Sequence, residues 1–578
     1  MIGLNKIWLN QVQLNRLYLN APFPVYRKMT GGGSSGDGFP VLPGDVTRWH
    51  FGGLTNEMMA AMDDPRIEDA DGKGRFLSFK NFLWAGMSGV GGYNQNFNQW
   101  GYGNLNNATE THTSNKIELN VIDAGNRTGN IYSTLFPVGY IFDFNIKVTG
   151  LKDPCFILVS KGTTESIIKI TNDGIYNVKA TVDESWSQRR IYFIINHSGG
   201  SSFDGLVIEQ LPLYPGFILG DGVDDFAVTE ENFNFEKEFC VYLAAIFFPQ
   251  DSPHNSAVLG KNPNKDVRVL QYSASLTFQS INTVNMNINS GLFSILAFKR
   301  TNDTLLIKDL TTGRSKSVVA SSDVLDNPGK FYLWIASSFK DYCNAAIAGC
   351  VICNGHSTTD EEDEKVLNWH KKQYPWLFPD QAWTVVGKTN EDTDRATIAN
   401  ITGNGNNLVL SNLGFIEGSG YNEEGEYAGY LVTDGVDDGV TSSSFRLQHD
   451  FTVVGEWQFL PPDKSIYCGM SKGTSFILYN FQAGLMIFIN QQRTGTELKG
   501  VKGLKAICSD GRVYNQNWDE IRIMSGELSF SDTRLQMGYT SDRFTNIAFK
   551  NLGIYNNKIL SKEDCIKAYN YLQTLKAK

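Results

Sequence analysis

Apolar and polar residues alternate along much of this chain in short runs, which predicts β-strands. Residues 140–148 (YIFDFNIKV) alternate strictly, and parts of residues 174–182 (GIYNVKATV) do the same. A helical pattern occurs in residues 357–375 (STTDEEDEKVLNWHKKQYP) and 560–575 (LSKEDCIKAYNYLQTL), each behind a Thr or Ser cap. The pattern therefore predicts an all-β protein with short helices.

Several stretches occur twice. DGVDD appears at residues 221–225 and again at residues 434–438. Upstream, WHFGGLTNE (49–57) matches WTVVGKTNE (383–391), with Trp, Gly and Thr-Asn-Glu at identical offsets. Each copy continues through a Gly-x-Gly strand and DGVDD to a capped helix, so we predict a duplicated module.

The two copies differ in length at one place. Tyr421 precedes Asp434 by 13 residues, whereas Tyr93 precedes Asp221 by 128. The additional residues read as antiparallel strands, and insertion at an exposed loop is well tolerated. We predict a first jelly roll at residues 46–106 and 214–378, an inserted carbohydrate-binding-like β-sandwich at 107–213, and a second jelly roll at 379–578.

The first twenty residues contain a ten-residue repeat, LNKIWLN (4–10) and LNRLYLN (14–20). Residues 31–38 (GGGSSGDG) have the composition of a flexible linker. We interpret residues 1–30 as a docking peptide and 31–45 as a linker, with strand addition to a partner as the docking mode. The alternative is a hairpin that covers one of the chain's own domains. The docking candidates are Ile7, Trp8, Leu9, Leu17, Tyr18 and Leu19.

The duplicated module resembles the concanavalin A-like, or laminin G-like, jelly roll, on the basis of its D-G-x-D-D strand start, closely spaced strands and closing helix. Residues 389–415 (TNEDTDRATIANITGNGNNLVLSNLGF) resemble modules in virion proteins of gut tailed phages, including crAss-like phages. The leader repeat resembles those that open such structural proteins. The resemblance implies two jelly rolls, the first interrupted by the small β-sandwich, in a fibre or decoration protein of a virion.

The composition and net charge of the chain limit the classes of partner and the cellular locations that we expect. A net charge of −10 without a Lys/Arg cluster argues against nucleic acid. The start lacks the apolar segment of a signal peptide, and no apolar run approaches membrane-span length. We therefore expect synthesis in a host cytoplasm, no membrane insertion, and eight Cys as reduced thiols, including Cys350 and Cys353 of a C-x-x-C-x-x-H spacing.

The sequence lacks the carboxylate strand of the hydrolytic enzymes that share this fold. Retaining glucanases of this fold carry an E-x-D-x-(x)-E strand whose carboxylates lie about 5 Å apart. Asp519 with Glu520, and Asp204 with Glu209, lack the alternation that would bring two carboxylates together. There is also no H-E-x-x-H or P-loop motif, while the G-x-S-x-G spacing occurs at residues 32–36, in the Gly/Ser linker, and at residues 469–473. We expect no catalytic residue and no enzymatic activity.

The DGVDD segments have two interpretations. Clustered carboxylates are the ligands that Ca²⁺ prefers, and the candidates are Asp221, Asp224, Asp225, Asp434, Asp437 and Asp438. The alternative, which we favour, is a tight turn in which Gly222 or Gly435 takes a positive φ and Asp side chains cap N–H groups. We therefore expect no cofactor, with Ca²⁺ as the open alternative.

Residues 93–107 (YNQNFNQWGYGNLNN) interleave aromatic side chains with amides, which suits a shallow saccharide site. The candidates are Tyr93, Phe97, Trp100 and Tyr102. The alternative is a connector whose aromatic rings pack on the inserted sandwich. Trp186 and Tyr192 of the insertion are weaker candidates, since strand aromatics usually lie in the core.

Together these observations predict a non-enzymatic virion protein that docks on the capsid or tail, forms homo-oligomers (a trimer is our guess), and attaches to host-surface polysaccharide. A secreted bacterial polysaccharide-binding protein and a glycan-degrading tailspike are the alternatives. Repetition on a virion would convert weak single-site affinity into avidity.

Overall fold

The computed structural model describes residues 38–577 with short gaps. The gaps are residues 104–107, 122–126, 153–154, 162–164, 187, 198–203, 249–255, 263–266, 273–274, 281, 322–327, 336–341, 424, 426, 461–465, 473–475, 482–483, 490–491, 494–497, 500–502, 524–531 and 541–542. The docking candidates Ile7, Trp8, Leu9, Leu17, Tyr18 and Leu19 lie outside the described residues. Their role stays a prediction.

The protein is all-β with a few short helices, as the alternating pattern predicted. The first part of jelly roll 1 contains β1 (Asp45–His50), α1 (Asn56–Ala60), β2 (Arg66–Glu68), β3 (Phe76–Lys80) and β4 (Gly89–Val90).

A smaller sandwich follows within the same jelly roll. It consists of a 3₁₀ turn (Phe97–Gln99), β5 (Gly101–Gly103), β6 (Ala108–His112), β7 (Lys116–Val121), β8 (Arg127–Tyr132), β9 (Ile141–Thr149), β10 (Phe156–Lys161), β11 (Glu165–Ile170), β12 (Gly174–Thr181), β13 (Ile191–His197) and β14 (Asp204–Gln210).

Jelly roll 1 then resumes. Its second part contains β15 (Ile218–Asp221), β16 (Phe226–Thr229), β17 (Phe239–Phe247), β18 (Ser256–Asn262), β19 (Arg268–Tyr272), β20 (Ser275–Ser280), β21 (Asn282–Asn287), β22 (Phe293–Arg300), β23 (Thr304–Asp309), β24 (Ser315–Val319), β25 (Lys330–Leu333), β26 (Asn344–Asn354), α2 (Asp360–Gln373) and a 3₁₀ turn (Pro375–Leu377).

Jelly roll 2 completes the chain. It contains β27 (Gln381–Thr384), β28 (Thr397–Ile398), β29 (Leu408–Ser411), β30 (Gly420–Asn422), β31 (Tyr430–Val432), β32 (Gly439–Phe445), β33 (Phe451–Phe459), β34 (Ile466–Lys472), β35 (Phe476–Phe481), β36 (Gly484–Ile489), β37 (Gln492–Arg493), β38 (Leu498–Lys499), β39 (Gly503–Cys508), β40 (Arg512–Asn515), β41 (Glu520–Arg522), β42 (Thr533–Met537), β43 (Tyr539–Thr540), β44 (Arg543–Phe544), β45 (Ile547–Asn556) and α3 (Lys562–Thr574).

The two jelly rolls have the same strand order in both of their sheets. One sheet runs β24-β23-β22-β17-β26-β15-β4 in the first roll and β41-β40-β39-β33-β45-β31-β30 in the second, with β1 on β26 and β27 on β45. The facing sheets run β2-β3-β16-β25-β18-β19-β20-β21 and β28-β29-β32-β42-β34-β35-β36-β37. The duplication inferred from the repeated stretches is thus present at the level of the fold.

The Asn of the repeated Thr-Asn-Glu stretch has the same role in both copies. The Asn56 side-chain amide pairs with the backbone N–H and C=O of Val90 at 2.7 and 3.2 Å. The Asn390 side-chain amide makes the same two bonds with the backbone N–H and C=O of Tyr421, each at 2.8 Å. In each roll this residue anchors β4 or β30, the strand that precedes the site of insertion.

The insertion lies between β4 and β15, where the second roll has only the β30–β31 hairpin. Its two five-stranded sheets enclose a separate core. The first of these sheets includes β5, which pairs with β8. The inserted unit therefore begins ahead of residue 107, the boundary predicted from the sequence, because that pairing draws the preceding segment into the small sandwich.

Helices form the layer between the two jelly rolls. One buried cluster combines Phe217 and Tyr374 of the first roll with Tyr555 and Leu572 of the second. The Tyr571 hydroxyl of α3 accepts a bond from the Phe293 N–H at 3.1 Å across this layer. The apolar faces of α2 and α3 are thereby buried in one layer, which fixes one roll against the other.

The helix caps agree with the sequence. Thr359 and Glu362 form a capping box at α2, and Ser561 accepts from the Asp564 N–H at α3. Lys371 and Lys372 lie in the last turn of α2, where the helix dipole favours cations. No helix among the described residues is long and apolar enough to cross a bilayer.

Cys350 and Cys353 lie on opposite faces of β26, the first in the sandwich core and the second under the helical layer. Burial raises the pKa of both thiols. Two thiols on opposite faces of a strand cannot chelate one zinc ion, so Cys350 and Cys353 have packing roles instead. The other described thiols, Cys155, Cys240, Cys343, Cys508 and Cys565, are also buried.

Candidate functional site

The aromatic residues predicted to contact sugar are mostly interior. Phe97 and Trp100 are 0% and 5% exposed, and their rings meet at 4.8 Å in the core of the small sandwich. Tyr93 is also buried, with its hydroxyl 3.3 Å from the Asn115 amide. Tyr102, at 60% exposure, is the one candidate with an accessible ring. These four side chains do not form a saccharide platform in this conformation.

The aromatic residues of the inserted sandwich are interior too. Trp186 stacks on Phe142 at 6.3 Å between ring centroids, and Tyr192 is 4% exposed. Both side chains therefore have packing roles, as strand aromatics usually do.

A cleft of about 330 Å³ separates the two jelly rolls. Phe293 and Thr312 line it from the first roll, Phe378 from the connection, and Thr402 and Asn404 from the second. The Phe378 ring is partly exposed and packs edge-on against Phe293 at 5.4 Å. The cleft thus places an aromatic ring among hydroxyl and amide groups, at the lower end of the size range of small-molecule sites.

The cleft also holds one carboxylate and two ammonium groups. Asp380 accepts a bond from the Asn556 N–H at 2.7 Å, and burial raises its pKa while Lys558 and Lys371 work to lower it. Burial lowers the pKa of Lys558. Lys371 is exposed at the end of α2, so its side chain is accessible to a ligand.

Each DGVDD segment is a turn that carries the chain from one sheet of its jelly roll to the other. In the first roll Asp221 Oδ1 accepts from the Val223 N–H at 2.8 Å and Asp225 Oδ2 accepts from the Asp221 N–H at 3.0 Å. Gly222 adopts a φ of +77°. The second roll repeats both bonds. Asp434 Oδ1 accepts from the Val436 N–H, and Asp438 Oδ2 accepts from the Asp434 N–H, each at 2.8 Å. The tight-turn interpretation is therefore correct for the backbone.

The last Asp of each turn is buried. Asp225 and Asp438 are 1% and 0% exposed, and burial raises the pKa of Asp225 to about 7 and also raises that of Asp438. The carboxylates of Asp221 and Asp224 add to the rise at Asp225. Each turn therefore concentrates three acidic groups without ion pairs to Lys or Arg within the described part of the chain.

A charged seam joins the insertion to jelly roll 2. Glu456 of β33 lies 3.8 Å from Lys179 of the insertion and 3.7 Å from Lys550 of β45, and it accepts a bond from the Tyr569 hydroxyl at 3.0 Å. Burial alone would raise the pKa of Glu456, but the Lys505, Lys550 and Lys179 ammonium groups hold it well below its usual range. The seam adds charged contacts to the apolar packing of Ile175 of the insertion on the buried cluster between the rolls.

Sequence reasoning missed the cleft and the seam. The cleft brings together side chains from near residues 290, 312, 378, 402 and 558, and no local pattern connects these stretches. For the seam one signal existed, because Glu456 is the only charged residue of β33, a strand that pairs with β45 around Lys550.

No family model matches the sequence, and no curated protein matches it either. Solved structures that share features with it include the binding domain of botulinum neurotoxin DC in complex with rat synaptotagmin II, with 9% identity and a TM-score of 0.26 over 58% of this chain and 87% of that one. The botulinum neurotoxin serotype D binding domain has 7% identity and a TM-score of 0.27 over 60% and 88%.

A third similar structure is domain 4 of AbnA, a GH43 extracellular arabinanase from Geobacillus stearothermophilus, in complex with arabinotriose. It has 16% identity and a TM-score of 0.20 over 26% of this chain and 80% of that one. Global similarities of this size do not assign a ligand to this protein.

Proposed function

We propose that this protein is a non-enzymatic glycan-binding component of a phage virion, which displays its two jelly rolls and inserted sandwich to host-surface polysaccharide. The observation that carries the binding role is the cleft between the rolls. Small-molecule sites occur preferentially at such domain interfaces, in concave surfaces with a few convergent polar groups.

The chemistry of the cleft suits a saccharide. A sugar ring has an apolar C–H face and a rim of hydroxyl groups. The partly exposed ring of Phe378 offers a surface for the former, and Thr312, Thr402 and Asn404 offer partners for the latter. Lys371 adds a cation at the rim, which would favour a sugar that carries a carboxylate. The cleft is therefore a better candidate than residues 93–107.

The carboxyl groups of the same cleft argue against glycoside hydrolysis. Two carboxyl groups are needed on either side of the scissile bond, about 5–10 Å apart. Among the described residues that line the cleft, Asp380 is the single carboxylate, and its Oδ2 is occupied by the Asn556 N–H. This arrangement favours binding without cleavage.

The virion setting rests on the sequence resemblance. The leader repeat and the Gly/Ser linker support attachment through residues 1–30 to a capsid or tail protein, and multivalent display would raise the avidity of a shallow site. Within this setting we propose a homo-oligomeric fibre or decoration.

Binding of the labelled full chain to an array of bacterial capsular polysaccharides tests the proposal. We expect retention on a subset of the glycans, and a loss of about 10-fold in apparent affinity for Lys371→Ala and Phe378→Ala. Lys372→Ala is the matched control, because Lys372 neighbours Lys371 on α2 but does not line the cleft.

Three outcomes would contradict the proposal. The first is the absence of retention, even for the chain multimerised on beads. The second is equal loss in Lys371→Ala and Lys372→Ala. The third is release of reducing ends from a bound polysaccharide, which would establish a glycan-degrading tailspike instead.

A further inference from the structure

A second concave site lies on jelly roll 2, next to the charged seam. It is a cavity of about 170 Å³ whose wall includes Lys505 of β39 and Gln516 of the turn between β40 and β41. Tyr430, Glu456 and Gln458 contribute further polar groups to this wall. Among the described residues that line the cavity, none also lines the cleft between the rolls. The two concave sites are therefore separate.

The seam holds more ammonium groups than carboxylates. Glu456 lies 3.8 Å from Lys179 and 3.7 Å from Lys550. Asp143 lies 3.9 and 3.6 Å from the same two ammonium groups. Lys505 forms no ion pair within the described part of the chain, although it is partly buried. Three ammonium groups thus face two carboxylates, and a charge that is withdrawn from water without a partner costs free energy.

The ammonium group of Lys505 also has unused hydrogen-bonding capacity. An ammonium can donate three hydrogen bonds, and the described residues supply one acceptor for it, the Tyr569 hydroxyl. This hydroxyl donates in turn to Glu456 at 3.0 Å, so it is used in both directions. Burial lowers the pKa of Lys505, while Glu456 and Asp143 act to raise it. Two N–H groups of Lys505 are therefore left for a ligand in the adjoining cavity.

The surplus charge and the amides of the wall define the chemistry of that ligand. A monovalent carboxylate would neutralise the single surplus charge, whereas a phosphate dianion would reverse it. The side-chain amides of Gln458 and Gln516 can donate to carboxylate oxygens or accept from neighbouring hydroxyl groups. Glu456 does not prevent this binding, because Lys179 and Lys550 offset its charge.

We infer that this cavity binds the carboxylate group of a small ligand, with Lys505 as the charge partner and Gln458 and Gln516 as hydrogen-bond partners. Its volume lies below the range of drug-sized sites. It therefore suits a single carboxylate-bearing unit, which can be a uronic acid residue of a polysaccharide or a free organic acid. The inference concerns a separate site and does not depend on glycan binding in the cleft.

Saturation-transfer difference NMR of the full chain tests the inference with sodium glucuronate and sodium acetate as probes, at an ionic strength held constant with chloride. The wild-type chain is compared with a Lys371→Ala/Phe378→Ala chain, in which the cleft is impaired. We expect both probes to bind both chains, with dissociation constants on the order of 10⁻³–10⁻² M. Tighter binding of glucuronate would identify a sugar acid as the source of the carboxylate, and equal binding a free organic acid.

Two variants and a control locate the site. Lys505→Gln removes the charge partner and should weaken the binding of both probes by about 10-fold or more. Gln516→Ala changes an exposed side chain, so folding should persist, and binding should weaken by about 3-fold. Asn517→Ala is the matched control, because Asn517 is the exposed neighbour of Gln516 and does not line the cavity. If thermal unfolding shows that Lys505→Gln is not folded, Gln516→Ala against Asn517→Ala decides.

Three results would overturn the inference. The first is an absence of saturation transfer from both probes at about 50 mM, above the expected dissociation constants. The second is an unchanged dissociation constant in the folded cavity variants, which would place the anion elsewhere. The third is binding that is lost in the Lys371→Ala/Phe378→Ala chain, which would assign the carboxylate to the cleft.

Discussion

Asp225 illustrates how one buried residue can make stability depend on pH. Its pKa is raised from 3.8 to about 7 in the folded protein by burial, so above pH 7 the folded chain holds a carboxylate that is better solvated in the unfolded chain. The penalty is absent below about pH 4, grows between pH 4 and 7, and is complete above pH 7. At about 1.4 kcal/mol per unit it amounts to at most about 4 kcal/mol.

Asp225→Asn removes this titration. At pH 8 the variant should gain stability over the wild type, by up to about 4 kcal/mol more than at pH 4, where both side chains are neutral. Urea unfolding at the two pH values measures this, with Glu231→Gln as a control. A difference between variant and wild type that is the same at pH 4 and pH 8 would show that the carboxylate is not destabilised in the fold.

At the scale of elements, equivalent glycines in the two copies should respond alike. Gly89 and Gly420 have φ values of +135° and +155°, and a Cβ there would lie 2.6 Å from the Oδ1 of Asn56 or Asn390. Gly74 and Gly405 also have positive φ, but a Cβ would meet nothing within 4 Å. Backbone strain is thus shared by all four positions, whereas the clash occurs only at the first pair.

Gly89→Ala and Gly420→Ala should therefore each cost more than about 3 kcal/mol of unfolding free energy, while Gly74→Ala and Gly405→Ala should each cost about 1–2 kcal/mol. Chemical denaturation of the four variants measures the difference. Similar losses at all four positions would mean that the anchoring Asn is not held rigidly against the strand.

The elements that the sequence predicted best are those whose structure depends on interactions between residues close together in the chain. Alternation in residues 140–148 follows from a sheet that buries one face, and Thr359 and Ser561 cap their helices through bonds within four residues. Phe97 and Trp100 lie in a Gly/Asn-rich stretch without periodicity, and their burial depends on β5 pairing with β8 about thirty residues later. Composition suggested a surface site there, whereas a non-local strand pairing makes these residues core.

At the scale of the whole molecule, the sequence could indicate three sandwiches but not how they pack. The insertion meets jelly roll 2 through Asp143, Lys179, Glu456 and Lys550, whose numbers span four hundred residues. Asn145 of the insertion also donates to Asn570 of α3 at 2.6 Å. Pairing of this kind depends on tertiary geometry, so charge patterning along the chain does not reveal it.

The seam gives a prediction for the arrangement of the three sandwiches. Glu456→Gln keeps the size of the side chain but leaves Lys505, Lys550 and Lys179 with less negative charge, and breaking a buried pair in this way costs about 3 kcal/mol. The pKa of Glu456 is lowered in the folded protein, so its contribution is present above the unfolded pKa of about 4.5 and is lost as the pH falls further.

At pH 7.5 the variant should therefore unfold at lower urea concentration and show a larger radius of gyration by small-angle X-ray scattering, because the insertion is released from jelly roll 2. Glu184→Gln, on an exposed turn of the insertion, is the matched control and should change neither quantity. If Glu456→Gln keeps wild-type stability and scattering, the insertion is held by its remaining contacts, which include Lys550–Asp143, Asn145–Asn570 and the apolar packing of Ile175. If stability falls while scattering is unchanged, Glu456 stabilises jelly roll 2 internally rather than orienting the insertion.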